Sequence, residues 1–429
     1  MGAYLFWLGK KPLLSLAELI AVFGEKSIKT FESEMAILEV DENKFTEENA
    51  QKILNSLGGT MKIAKIYDVA DVLSQTAELI EKAYDATHHK FSNLNKIIFA
   101  INAYGLEKGV GHSLMEFLKI YKKYLAELGY ASRYLNKSER NIDTAFALDE
   151  DIVHRGVEYN IAKIEGKIFL SYTVAAQDFR LYANRDYGKP YRDAQAGMLP
   201  PKLAQVMINI GEGLANNEEK HTKARFARLL YDPFCGSGTI LMESLLAETN
   251  CTGSDIRKET VEGAKINCRW IQEKFPHSSH ASFETFVQDI TAMNPDEIEK
   301  KYHPAVIVSE SYLGPYFRKK PSQEEIKKLQ KNLGELYGKA IEKLSKLHTP
   351  IVLAIASHKQ NGDYFFNEEI IHAIKQANLK QATLLPNWIL KRLTAQEATK
   401  MGYAPDRRTL LYDRDDQMVA REIFVLTPE

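Results

Sequence analysis

Leu229-Leu230-Tyr231-Asp232-Pro233-Phe234-Cys235-Gly236-Ser237-Gly238-Thr239-Ile240 is the stretch on which the reading of this chain turns. An apolar run ends in a carboxylate, a tight loop carrying two glycines follows, and Ile240 to Glu248 has the composition of a helix. In an open α/β sheet the ligand sits at the carboxyl ends of the strands, just where this loop lies. Glycines at such a place let the backbone approach a ligand closely.

Working outward, buried strands are expected at Cys251 to Asp255, Phe283 to Gln288, Ala305 to Val308 and Ile351 to Ala356, with helices between them. That alternation argues for a mainly parallel sheet. Thr409 to Asp413 and Ala420 to Leu426, joined by the polar turn Arg414 to Gln417, are expected to close it with an antiparallel hairpin at one edge. The expected fold is therefore α/β, a Rossmann-like domain with a mainly parallel seven-stranded sheet. Three ligand classes compete for its glycine loop. A nucleoside triphosphate wants a lysine after the second glycine, and Gly238 is followed by Thr239. A dinucleotide wants a third glycine where Leu241 stands. S-adenosylmethionine has no phosphate and needs neither. It needs carboxylates near its amino group and ribose, which Asp232 and Asp255 can supply, and Asp289 can accept from an adenine amine. Any one of these aspartates alone reads as a strand-end or cap residue; three at successive strand ends favour a cofactor site.

Upstream, Ala3 to Leu8 and Ala36 to Val40 read as strands. A helix from about Ser15, with Ser15 and Glu18 as a capping box, and another over Glu47 to Leu57 complete a small α/β unit over residues 1–65. A second unit, 66–178, holds an expected helix at Val72 to His88, a strand at Lys96 to Ala103, an amphipathic helix at Ser113 to Leu128, and a hairpin, Tyr159 to Ile164 with Lys167 to Val174, turning at Glu165-Gly166. Residues 179–198, rich in Arg, Tyr, Asp and Gly, read as a linker, and 199–429 as the Rossmann-like domain. With 429 residues, more than one core is expected. A net charge of −1 does not announce a polyanion binder, though local clusters can. Lys220 to Arg228, Arg318-Lys319-Lys320 with Lys327-Lys328, and Arg407-Arg408 are such clusters; singly, each reads as a solvated surface. The three cysteines lack metal-ligand spacing, so no metal is expected, and the odd count, with no secretory pattern at Met1 to Phe6, suggests a cytoplasmic protein.

Asp232 to Thr239 resembles the first motif of RNA and DNA amino-methyltransferases. Arg185-Asp186-Tyr187-Gly188-Lys189-Pro190-Tyr191-Arg192-Asp193, followed by Gly197-Met198-Leu199-Pro200-Pro201-Lys202-Leu203-Ala204-Gln205, is similar to the THUMP-domain tRNA guanine-N2 methyltransferases that modify nucleotide 10. Leu8-Gly9, Ser15 to Leu19 and Leu57-Gly58-Gly59-Thr60 resemble the ferredoxin-like segment of that family. The resemblance implies an α+β ferredoxin-like and THUMP module gripping tRNA, ahead of a class I methyltransferase domain. It implies S-adenosyl-L-methionine as cofactor, with Leu199-Pro200-Pro201-Lys202 at its methionine end. The candidate cofactor residues are Leu199, Pro200, Asp232, Phe234, Gly236, Gly238, Thr239, Asp255, Ile256 and Asp289. tRNA is the expected partner, no membrane is expected, and a small protein activator or none is left open.

The family's catalytic motif is Asp-Pro-Pro-Tyr at the end of the fourth strand, where this chain has Ser309-Glu310-Ser311-Tyr312. An exocyclic base amine is a poor nucleophile because its lone pair is delocalised. The first side chain and the next carbonyl accept its hydrogens, and the aromatic stacks on the flipped base. Ser309 offers an uncharged acceptor and Tyr312 the ring. Glu310 brings a carboxylate, but strand alternation puts it one residue out of phase. Without prolines the loop is looser unless packing compensates. Tyr182, Arg185, Tyr187, Tyr191 and Arg192 interleave rings and cations, fit to line RNA or to pack internally, and Trp388 with Lys391 and Arg392 is a second such group. The expectation is a tRNA guanine-N2 methyltransferase; a DNA amino-methyltransferase and a catalytically impaired RNA-binding protein are the alternatives.

Overall fold

The computed structural model describes residues 1–72, 76–106, 110–193, 198–218, 229–315, 321–360, 363–414 and 417–429. The Lys220 to Arg228 and Arg318 to Lys320 clusters, Gly197, and Tyr316-Phe317 lie outside these. Two compact units form: one from residues 1–10, 23–56 and 60–178, the other from 11–22, 57–59 and 179–429.

The first unit is one sheet of eight strands: β1 (Gly2–Leu8), β2 (Ile28–Glu32), β3 (Met35–Val40), β4 (Thr60–Ala70), β5 (Ile97–Tyr104), β6 (Ser132–Tyr134), β7 (Gly156–Ile164) and β8 (Lys167–Ala176), in the order β2-β3-β1-β4-β8-β7-β5-β6. The boundary expected at residue 65 falls inside β4, which pairs antiparallel with β1 on one side and β8 on the other. The two expected segments thus share one sheet. The hairpin turns as its sequence requires: Glu165 and Gly166 both take positive φ, 49° and 82°, the two-residue turn whose twist matches the flanking strands. Leu5, Trp7, Ile37, Ala64, Ala162 and Ile164 pack one face.

The second unit is built on β9 (Leu229–Asp232), β10 (Asn250–Asp255), β11 (Phe283–Val287), β12 (Val306–Glu310), β13 (Ile351–Gln360), β14 (Asp363–Phe365), β15 (Leu379–Gln381), β16 (Tyr403–Ala404), β17 (Thr409–Tyr412) and β18 (Val419–Pro428). The main path runs β11-β10-β9-β12-β13-β18-β17-β16, with β14 on β13 and β15 on β18. The first five strands of this path are parallel, and β18 is antiparallel to β13 and to β17. The antiparallel pair is therefore not a simple edge hairpin: β18 sits inside the sheet, and β17 and β16 lie beyond it. Short strands β14 to β16 carry too few residues for a pattern, which is why the sequence did not reveal them. Ile351 to Ala356 are wholly buried, as a strand covered on both faces must be.

Two readings near the N-terminus need correction. The first helix runs Pro12–Phe23, because Pro12 suits the first helical turn, and Ser15 lies inside it, its Oγ donating to Lys11 O at 3.3 Å. Glu18 caps nothing: its buried carboxylate accepts from Gly58 N and Gly59 N, both at 2.8 Å, and from Asn209 Nδ2 at 2.7 Å. The expected linker begins with a helix, Phe179–Tyr187. Among the described residues no helix is long and apolar enough to cross a membrane.

Candidate active site

The glycine loop leaves β9 and enters the helix Thr239–Leu246. Gly236 and Gly238 take φ of +49° and +83°, a left-handed region that side chains resist. A Cβ on Gly238 would also sit 2.9 Å from that of Ala264. The loop is fixed from outside: Asp255 Oδ2 accepts from Gly236 N at 3.1 Å, and Asn267 Nδ2 donates to Ser237 O at 2.9 Å and to Tyr191 O at 3.0 Å. A cleft of about 450 Å³, open to solvent, lies against it. Its wall includes Leu199, Asp232, Phe234, Gly236, Thr239 and Glu310. Pro200 precedes the helix Pro201–Glu218, and its carbonyl accepts from Leu203 N and Ala204 N.

Asp232 is 1% exposed, and its Oδ1 accepts from Ser309 Oγ at 2.6 Å and Phe234 N at 3.1 Å. Burial is the main force on its acidity and lifts the carboxyl to about 7; the Ser309 and Phe234 bonds pull it back. Asp255 turns its carboxylate to the loop and to its own helix start: Oδ1 accepts from Arg257 N at 2.9 Å and Thr260 Oγ1 at 3.1 Å. Asp289 caps a short turn, its Oδ1 accepting from Thr291 N and Thr291 Oγ1, both at 2.8 Å. Ile256, directly after β10, is 63% exposed, and Val287, which pairs with Asp255 in register, is 51% exposed. Bare aliphatic surface at two adjacent strand ends suits the face of a planar ring.

At β12 the structure reverses the phase read from the sequence. The strand runs on to Glu310, and Glu310 lines the cleft while Ser309 sits behind Asp232. Ser309 is fully buried, its hydroxyl spent on Asp232. Glu310 lines the cleft, and its Oε1 accepts from Arg421 Nε at 2.5 Å. Burial raises the Glu310 carboxyl above its ordinary value, and Arg421 opposes that rise. The loop after it is not slack. Ser311 N and Oγ both donate to Ala354 O, at 2.9 and 3.0 Å, and Tyr337 Oη donates to Tyr312 O at 2.8 Å. Leu313 packs against the core around Tyr337 and Ile341. These bonds replace what prolines would have stiffened. The Tyr312 ring is 53% exposed.

Several site residues escaped the sequence reading. Asp193 and Arg257 face each other in the cleft wall, Arg257 Nη2 donating to Asp193 Oδ2 at 2.6 Å. Lys189 Nζ donates to Thr239 Oγ1 at 3.2 Å. Arg421 is 4% exposed near the start of β18 and looked like an ordinary alternating strand residue. Of the ring-and-cation residues, Tyr182 and Arg185 are internal: Tyr182 Oη donates to Gln205 Oε1 at 2.8 Å, and Arg185 Nε to Glu243 Oε1 at 2.8 Å with its guanidinium 4.3 Å from the Tyr182 ring. Tyr191 lies where a Cβ on Gly263 would stand, so it too packs inward, whereas Tyr187 is 63% exposed. Arg407 is paired with Glu422 and Glu368, which removes it from any free basic surface, and Arg392 lies 5.1 Å over the half-buried Trp388 ring.

Residues 189–385 match the family model described as RMKL-like, methyltransferase domain. This segment resembles the methyltransferase domains of that family. The chain is also similar to a tRNA (guanine(10)-N2)-dimethyltransferase of Pyrococcus abyssi, 38% identical over 72 residues, which is 17% of this chain and 18% of the relative. A tRNA (guanine(10)-N2)-dimethyltransferase of Methanothermobacter thermautotrophicus is 31% identical over 101 residues, 24% of this chain and 25% of the relative. The chain thus spans a quarter or less of the length of these curated relatives. TrmN from Thermus thermophilus aligns over 100% of both chains with a TM-score of 0.50 at 12% identity, a likeness of fold. For the methyltransferase domain the donor set fits S-adenosylmethionine: a buried carboxylate beside a glycine loop free of lysine, with apolar surface at the next two strand ends.

Proposed function

We propose that the chain is an S-adenosylmethionine-dependent methyltransferase that modifies the exocyclic N2 amine of a guanine in tRNA. The observation that carries this reading is the Glu310 carboxylate, held in the cleft beside Phe234 and Gly236 by Arg421. When bound, S-adenosylmethionine supplies an electrophilic methyl on a sulfonium. The chain's own groups do the rest. The loop from Phe234 to Thr239 and the Leu199-Pro200 turn would hold the cofactor, Asp232 serving its amino group and Ile256 its base. Asp255 keeps Gly236 in place for that contact. Glu310 accepts hydrogens from the amine, drawing the nitrogen lone pair out of conjugation, and takes up the proton released by transfer. Tyr312 offers an exposed ring on which a flipped base can stack.

A carboxylate acceptor favours guanine on chemical grounds. The guanine edge presents N1–H beside the N2 amine, two donors that one carboxylate can accept together, whereas adenine sets the acceptor N1 beside its amine. The tRNA guanine dimethyltransferases to which the chain is similar support the same substrate. Residues 1–178, as ferredoxin-like and THUMP-like segments, would supply the tRNA grip ahead of the methyltransferase domain over 199–429. A radiolabelled methyl-transfer assay on bulk tRNA, rRNA and duplex DNA, followed by nucleoside mass spectrometry, tests this. Label in N2-methylguanosine from tRNA is expected; label only in methyladenine or methylcytosine would overturn the substrate reading.

A further inference from the structure

We propose that Arg421 is a positioning residue for the reaction: it aims the Glu310 carboxylate into the cleft and ties it to the cofactor-side segment at Met198. The inference rests on the reading of Glu310 as the acceptor for the amine. Arg421 projects from β18, and Glu310 ends β12; β13 lies between them in the sheet. The guanidinium reaches across and divides its donors between two walls of one cleft. Nε goes to Glu310 Oε1 at 2.5 Å, and Nη2 to the Met198 carbonyl at 3.4 Å. Met198, Leu199 and Glu310 all line that cleft. Arginine suits the task because its rigid fork fixes both partners at once, where a lysine ammonium would fix neither direction.

The pair is also placed for a purpose that stability does not explain. A buried ion pair is weak evidence of stabilisation, since taking both charges out of water costs about what their attraction returns. Arg421 is 4% exposed, and its carboxylate partner sits in a cleft wall rather than in the core. Glu310 has one oxygen on Arg421, and a carboxylate has lone pairs to spare for an incoming donor. Arg421 favours the charged, acceptor-only form, which is what extraction of amine hydrogens demands. Burial disfavours its charge, and Arg421 is the cation that opposes burial; Glu310 in turn raises the neighbouring Asp232 carboxyl and Tyr337 hydroxyl.

The test compares wild type, Arg421→Gln, Arg421→Lys and Glu310→Gln in the full chain. The Glu310 carboxyl titration is followed by carbon NMR of glutamate-labelled protein and assigned by its loss in Glu310→Gln. S-adenosylhomocysteine affinity is followed by calorimetry, and kcat and KM by methyl transfer to tRNA. Arg421→Gln should move the Glu310 titration upward by about one pH unit or more. It should lower kcat about tenfold to a hundredfold and carry the acid limb of the rate profile with the titration, with KM changed far less. Should Arg421→Gln not fold, Arg421→Lys decides: charge kept but fork lost, the titration stays near wild type while kcat falls. An unmoved titration in Arg421→Gln, or a full kcat in Arg421→Lys, overturns the proposal. If wild type labels no RNA, the functional reading fails separately, and the titration still settles whether Arg421 governs Glu310.

Discussion

At the scale of single residues, the site contains two acids, Asp232 and Glu310, whose carboxyls burial raises. Glu310→Gln keeps the shape and one acceptor oxygen but loses the charge. It should lower kcat by about a hundredfold, with S-adenosylhomocysteine affinity nearly unchanged in calorimetry. Equal loss of both would mean that Glu310 serves the cofactor instead. Asp255→Ala releases Gly236 N and should weaken cofactor-product affinity by about 1–3 kcal/mol; unaltered binding would take Asp255 out of the site. Glu18 gives a separate pH signature. Its carboxyl is raised from 4.5 to about 7, chiefly by burial, so the folded state holds its proton more tightly than the unfolded chain. That contribution to stability is complete below about pH 4.5 and is lost as pH rises through about 7, on the order of 3 kcal/mol in all. Melting curves of wild type and Glu18→Gln between pH 4 and 8 should diverge across that window, the wild type losing ground as pH rises. A difference that stays flat with pH would argue against a protonated Glu18.

At the scale of elements, the loop between β9 and its helix is the most legible part of the molecule. Its glycines, its leading aspartate and its flanking apolar strand are all local signals, and the strand Leu229–Asp232 has the bounds its sequence suggests. Gly238→Ala tests the reading of that loop. With φ at +83° and Ala264 2.9 Å from the added carbon, it should cost about 1–3 kcal/mol of stability and weaken cofactor-product binding. A variant that melts and binds like wild type would mean that the loop can relax. The phase of β12 was not legible. Alternation puts Ser309 and Glu310 on opposite faces but does not say which face borders the cleft, because that is set by segments remote in sequence. Arg421 was hidden for a similar reason: a cation in an alternating strand looks solvent-facing until its partner, 111 residues away, is known. The missing prolines suggested a loose loop because the replacing bonds, from Ser311 to Ala354 O and from Tyr337 to Tyr312 O, join segments remote in sequence.

At the scale of the whole chain, the sequence conveyed the order of strands and helices better than the grouping of segments. Composition changes suggested cuts at 65 and 178. One compact unit ends at Asp178 and the other takes up the chain at Phe179, while β4 runs through residue 65. Neither cut anticipated that residues 11–22 and 57–59 join the C-terminal unit. A chain beginning at residue 179 should therefore be an incomplete methyltransferase domain. Without the Pro12–Phe23 helix it leaves Asn209 without Glu18 and strips the cover from Gly213, against which Ala21 packs. It should melt well below the full protein in calorimetry, and a melting point equal to that of the full protein would show the helix to be dispensable.

That N-terminal helix has a consequence for biosynthesis. All of its first eight residues are destined for burial, yet the asparagine that meets its glutamate is translated 191 residues later. Until then the nascent polypeptide displays an oily stripe with nothing to lie on, the sort of surface that holdase chaperones shield. Closure of that contact is postponed by chain order until Asn209 has been made, so a slow codon run between the two would lengthen the interval of exposure.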